Sequence, residues 1–401
     1  MTAREAADEL GVKPETLYAY VSRGLLPRDR VPGSRASRFR PEDVERLAGR
    51  GRARGGSLDE REVLVESSIT RLDPDGQLLF RGLDATELAG TWSFERVAEW
   101  LWTGRDDGTP SWEAPAAARR VGRRVQAALP PEATTAERLR AVVAAIATTD
   151  PLRHDRRPEA VAVTARGLIA GMVAALPPLG DVADRPAPIA AVLWPRLSSR
   201  RPRRVDLELI DRALVLLADH ELASSTFAAR VAAATWTDPY LVVLAGMSAV
   251  GGPRHGALSA SVVALLREVV RGTSADRAVG ERLRTAGEVP GFGHAVYVGP
   301  DPRAVSLLAG LAASRPPTRV WRAATSILGV VASRGGPAPN VDFAIGVLTE
   351  SAGMPADAGE ALFAVARSAG WIAHAVEEYD RPLRYRPRAR YTGPERGDVP
   401  T

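Results

Sequence analysis

Residues 204–250 read RVDLELIDRALVLLADHELASSTFAARVAAATWTDPYLVVLAGMSAV. Within them Leu207, Ile210, Leu214 and Leu217 recur at the three- and four-residue intervals that build one face of a helix. Asp238 followed by Pro239 is a strong helix start, because the carboxylate caps the first turn and a proline there forfeits no hydrogen bond. Alternating strand patterns are scarce along the chain, the best being Val63 to Ile69 and Gln77 to Phe80. From Ser68 onward the pattern predicts a large all-α fold.

Composition agrees with a globular protein. The 401 residues are 45% hydrophobic and 25% charged, long enough for two or three domains. With no cysteine, disulfides, thiolate metal sites and cysteine nucleophiles are all excluded. The opening MTAREAADEL places charges where a signal peptide needs its apolar core, and no apolar run approaches the roughly 18 residues of a membrane span. A cytoplasmic protein without membrane association is expected.

The net charge of +5 is concentrated at one end. Residues 1–54 hold twelve Lys/Arg against eight Asp/Glu, four of the five net charges. Thr2 and Glu5 have capping-box spacing ahead of Ala6, Ala7 and Leu10, and Gly11 ends that first helix. Pro14 opens a second, with Leu17, Tyr20 and Val21 on its apolar face, until Gly24. Leu25 to Pro27 and Ser37 to Arg40 read as a two-stranded wing, and Pro41 to Leu47 as a third helix. AREAADELGVKPETLYAYVSRGLLP thus resembles the winged helix-turn-helix of the mercury-resistance-regulator and excisionase type. In such a domain Lys13, Thr16, Tyr18 and Tyr20 would face a DNA groove while Arg35 and Arg38 hold phosphates. The competing reading is a packing module. Residues 1–50 form this domain, 51–62 a linker around GRARGGS, and 63–401 the body.

Five histidines punctuate the chain. His220 lies in LLADHELASSTFAAR, His255 in GGPRHGALSAS and His294 in GFGHAVYVGPDPRA; His154 and His374 have plainer surroundings. A histidine among glycines at an element boundary favours contact with a ligand. No pair has HxH or HxxxH spacing, so no metal site is expected.

Seven blocks in order, LLFRGLDATELA, LLADHELASSTFAAR, GGPRHG, GFGHAVYVGPDPR, PNVDFAIGVL, ARSAGWIAHAVEE and RPRARYTG, resemble the citrate synthase family from about Ser68 to Gly393. The resemblance implies a large subdomain, about 63–255 and 354–401, and a small one, about 256–353, that swings over it. It implies His255, His294 and Asp342 as the catalytic trio. It gives oxaloacetate to His220, Arg303, Arg367 and, across a homodimer, Arg386. No cofactor is implied beyond acyl-CoA as co-substrate, and the implied reaction is that of the tricarboxylic acid cycle.

The chemistry needs those residue types. Forming a C–C bond from acetyl-CoA requires a carboxylate base for the weakly acidic methyl proton, the role implied for Asp342. A donor must meet the developing enolate oxygen, implied for His255, and His294 would polarise the oxaloacetate ketone. Arginine forks grip the two carboxylates. The citryl thioester is then hydrolysed.

This chain departs from the family's usual pattern at HGALS, where Ala257 and Ser259 replace a glycine and an asparagine, and at Ala295, Val298 and Gly299, where basic residues are common. These positions bear on CoA contacts and leave the catalytic trio intact. Propionyl-CoA, giving 2-methylcitrate, is an alternative substrate, because one methylene is worth only about 1–3 kcal/mol in a pocket. The remaining alternative is a DNA-binding regulator sensing oxaloacetate or acyl-CoA through its synthase-like body.

Overall fold

The computed structural model describes residues 1–9, 17, 21, 27, 29–30, 37–41, 43–44, 65–73, 76–108, 111–182, 186–252, 258–381, 385 and 391. Two units emerge, 1–66 and 67–401.

In the first, helix α1 (Ala3–Glu9) begins with the expected reciprocal cap: Thr2 N donates to the Glu5 carboxylate (2.7 Å) and Glu5 N to Thr2 Oγ1 (3.3 Å). Strands β1 (Asp29–Arg30) and β2 (Ser37–Arg38) pair antiparallel, so the wing's first strand lies just beyond Pro27, which is itself in no regular element. Proline lacks the N–H a ladder needs, which favours the residues after it. Ala6, Ala7, Leu17, Phe39 and Val44 make a small core of their own. Arg38 is exposed on β2, whereas Lys13, Thr16, Tyr18, Tyr20 and Arg35 lie outside the described residues.

The second unit opens with a three-stranded antiparallel sheet, β3 (Thr70–Leu72), β4 (Leu78–Phe80) and β5 (Leu83–Asp84). The strand expected over Val63 to Ile69 is not found in its described part, residues 65–69. Its backbone is engaged elsewhere: Ser68 N and Oγ both donate to Glu377, and Ile69 N to Ser67 Oγ. Helices follow: α2 (Ala85–Thr91), α3 (Phe94–Thr103), α4 (Ala116–Ala128), α5 (Thr135–Ala147), α6 (Pro158–Ala175), α7 (Ile189–Leu197), α8 (Arg204–Leu217), α9 (Ser224–Ala233), α10 (Pro239–Val250), α11 (Leu258–Val270), α12 (Ala275–Ala286), α13 (Pro302–Ala313), α14 (Thr318–Ser333), α15 (Val341–Ala352) and α16 (Ala358–Asp380). The all-α reading holds. Asp238 caps α10 through Tyr240 N and Leu241 N, as its sequence suggests.

Against the expectation that no apolar run approaches a membrane span, α6 has 18 residues with the length and hydropathy of one. It is a core helix: Val161, Leu168, Ile169 and Met172 are buried, and Arg166 on it forms a two-pronged ion pair with Glu99 of α3 (2.6 and 2.8 Å). The 23-residue α16 runs through the middle of the core, with Trp371 fully buried against Gly246 of α10. A Cβ at residue 246 would press into that indole, so the missing side chain sets the α10–α16 distance.

Candidate active site

Two short segments are zipped together beside α15. Gly293 N donates to Ala338 O, Asn340 N to Gly291 O, and Asn340 Nδ2 to Gly293 O (2.8–2.9 Å). Gly291 has φ +84, and a Cβ there would come within 2.7–3.0 Å of Val262 and Phe343, so only glycine allows the approach. The pairing places His294 next to Asp342.

One buried carboxylate then aligns the helix starts. Asp301 caps α13 by accepting from Arg303 N, holds the Arg303 guanidinium at 3.0 and 2.9 Å, and accepts from Val341 N at the head of α15. Burial opposes the charge on both members, yet each pairs so well that Arg303 is raised and Asp301 lowered from their ordinary pKa values. Arg367, inside α16, donates Nε to Leu217 O at the end of α8 (2.8 Å) and lies 4.5 Å from the centre of the Phe363 ring. Burial, with Arg303 adding to it, pushes its pKa down to about 10.

These elements enclose a cleft of about 820 Å³ lined by His220, His294, Arg303, Asp342 and Arg367, with Leu222, Ala249, Leu258 and Phe363 as apolar walls. Five of the seven expected residues therefore share one space. His255 and Arg386 lie outside the described residues, although Gly252 and Leu258 on either side of the former line the cleft. Ser259 is buried beside Gly359 of α16, where a Cβ would press into its hydroxyl.

Charge states follow from the surroundings. Val296 N and Tyr297 N approach His294 Nδ1 at 3.0 and 3.4 Å, and the Arg303 guanidinium nitrogen stands 3.2 Å from its Nε2. Donors therefore face both ring nitrogens, which favours the neutral imidazole over the cation. Burial, reinforced by Arg303, lowers the His294 pKa to about 4, and burial also holds His220 well below its ordinary value; both are neutral at pH 7. Burial raises Asp342 to about 6, with Arg303 opposing. Among the described residues its carboxylate has no hydrogen bond or ion pair, a disposition suited to taking a proton.

Sequence reading assigned no role to Tyr297, Asp301 or Asn340. Tyr297 shares a hydrogen bond with His220 Nε2 (3.0 Å) and packs on His294, and Asn340 Oδ1 accepts from Asp342 N. All three sit inside the quoted motifs, where only their partners' positions reveal what they do. Among the described residues no cluster of His, Asp and Glu suits a metal.

Two family models match the chain, the helix-turn-helix domain over residues 1–52 and the citrate synthase C-terminal domain over 60–388. Citrate synthase 2 of Bacillus subtilis is 30% identical over 363 residues, 84% of this chain and 95% of that one. The citrate/2-methylcitrate synthase of the same organism is 27% identical over 358 residues, 83% and 95%. The crystal structure of citrate synthase from Thermotoga maritima superposes with a TM-score of 0.69 at 27% identity, covering 85% and 97%. From the match across 60–388 and the near-complete coverage of these relatives, the chain belongs to the citrate synthase family.

Proposed function

We propose that the protein condenses oxaloacetate with acetyl-CoA and hydrolyses the resulting thioester to citrate and free CoA. The observation that carries this reading is one cleft that gathers His294, Arg303 and Arg367 with Asp342, whose raised pKa and lack of a hydrogen bond or ion pair among the described residues suit a base. In this reading Asp342 takes the methyl proton of the thioester. His255 donates to the enolate oxygen, His294 polarises the ketone, and the new C–C bond forms between them. Arg303, Arg367 and the partner's Arg386 receive the carboxylates, with His220 and Tyr297 behind.

Closure of a small subdomain, 256–353, over 63–255 and 354–401 fits the two-sided lining of the cleft, His220 and Arg367 on one side, His294, Arg303 and Asp342 on the other. A homodimer is supported by α10, whose sequence is apolar on every side while Leu241 stays 49% exposed. The helix-turn-helix match supports DNA binding by residues 1–50.

CoA release from purified protein, oxaloacetate and either acetyl-CoA or propionyl-CoA tests the reading, using a thiol-reactive dye to which the cysteine-free chain adds no background. Release is expected with acetyl-CoA. The likeness to a citrate/2-methylcitrate synthase favours measuring propionyl-CoA beside it, with kcat/KM for each naming the physiological substrate. No release despite oxaloacetate binding would favour the DNA-binding sensor, which retardation of DNA by the full chain but not by residues 56–401 would identify.

A further inference from the structure

Behind the cleft lies a second polar chain. Arg367, Gly370 and His374 fall on one face of α16, and that face lies against the turn at residues 217–221. Arg367 Nε donates to Leu217 O, Gly370 N donates to Ala218 O (3.0 Å), and His374 Nε2 faces Asp219 Oδ2 at 3.4 Å. A Cβ at residue 370 would collide with the Asp219 carboxylate and Ala218 O, so glycine is what allows helix and turn to touch.

The far side of His374 decides its tautomer. Arg230 of α9 points a guanidinium nitrogen at His374 Nδ1 (2.7 Å) and is itself held by Glu377 (2.8 Å) and Glu378 (2.7 Å). An arginine only donates, so Nδ1 accepts and the ring proton sits on Nε2, aimed at Asp219. Asp219 Oδ2 also accepts from Glu221 N (3.1 Å), closing the turn that holds Glu221 at φ +54 and presents His220 to the cleft. Its other oxygen, Oδ1, is buried with no hydrogen bond. Arg367 is the neighbouring cation, close enough to be felt by Asp219 but forming no ion pair with it.

We propose that His374 is a positioning residue that, through its Nε2–H, holds the Asp219 carboxylate in the 219–221 turn and away from Arg367, keeping that guanidinium open for a substrate carboxylate. Released from His374, Asp219 would rotate onto Arg367 and compete with substrate. The consequence is a loss of affinity for oxaloacetate with little change in the chemical step. This inference rests on the functional reading above.

The test compares His374→Asn with His374→Gln in the full chain. Glutamine reaches the Nε2 position and keeps the donor to Asp219, whereas asparagine reaches only the Nδ1 position beside Arg230. His374→Asn is expected to raise both the KM and the directly measured Kd for oxaloacetate by about tenfold or more, the effect of losing a hydrogen bond to a buried charge. Its kcat at saturation should stay within about threefold of wild type, and His374→Gln should keep a near-normal KM. Adding Asp219→Asn to His374→Asn should recover affinity, since an amide does not compete for Arg367 as an ion. Unchanged KM in both variants, or equal kcat losses with KM untouched, overturns the proposal. Should only the glutamine variant fold, a KM about tenfold above wild type in it overturns the proposal as well. Wild-type protein that neither binds oxaloacetate nor releases CoA would instead sink the functional reading.

Discussion

Asp342, the proposed base, is a carboxylate whose charged form the fold disfavours. Its helix-start position and nearby Arg303 favour the anion, but burial wins and lifts its pKa to about 6. With Asp342 as the proposed base, which must be ionised to act, kcat/KM should rise with pH through about 6 and level off above it. His294, at about 4, stays neutral throughout that range and adds no second limb. Replacing the base, Asp342→Asn, should reduce kcat by at least about 10²–10⁴-fold, while calorimetric oxaloacetate binding persists through the arginines. The linkage has a definite sign: a carboxyl raised in the fold contributes stability that is fully present below its unfolded value of 3.8 and is lost as pH rises through about 6. The Asn variant should therefore melt at a higher temperature than wild type at pH 8, with the difference vanishing below about pH 4. An unchanged melting curve at pH 8 would contradict the buried-charge account.

At the scale of elements, the proposed site depends on two loops meeting. His294 and Asp342 come from the loop before α13 and from the first turn of α15, and the 291–293 to 338–340 pairing fixes their separation. Gly291→Ala would set a Cβ against Val262 and Phe343 at an unfavourable positive φ. A loss of about 1–3 kcal/mol is expected in denaturant unfolding, together with a fall in kcat as His294 is pushed from the cleft. The helices here follow their caps: Asp238, Asp301 and Asn340 each accept from the first-turn N–H groups of α10, α13 and α15. Those capping residues are visible in the sequence as Asp-Pro, Asp-Pro and Pro-Asn pairs. That Asp301 also reaches Val341 N is not, because across a separation of 40 positions the sequence gives no local sign of the contact.

For the whole molecule the assembly is the open variable. Apolar α10 leaves Leu241 exposed, and a charge there should prevent subunits from joining. In light scattering, wild type should have the mass of a dimer, and Leu241→Glu that of a monomer. The variant should also lose turnover, since the partner's Arg386 would no longer complete the clamp. A fully active monomer would remove Arg386 from the proposed site. Of the two compact units, the helical one, residues 67–401, carries the whole described cleft.

The sequence by itself determined the helical class and placed His220, His294, Arg303, Asp342 and Arg367 in motifs whose order resembles one family. It could do so because helical periodicity, caps and motif order are properties of near neighbours along the chain. Only the tertiary structure decided that the five share one cleft, that Asp301 joins two helix starts, and that His374 stands behind the clamp. In the sequence His374 is one histidine in an apolar helix. Its partners, Asp219 and Arg230, are more than 140 residues away, and only the packing of α16 against α9 and the 217–221 turn makes its polar atoms neighbours of theirs.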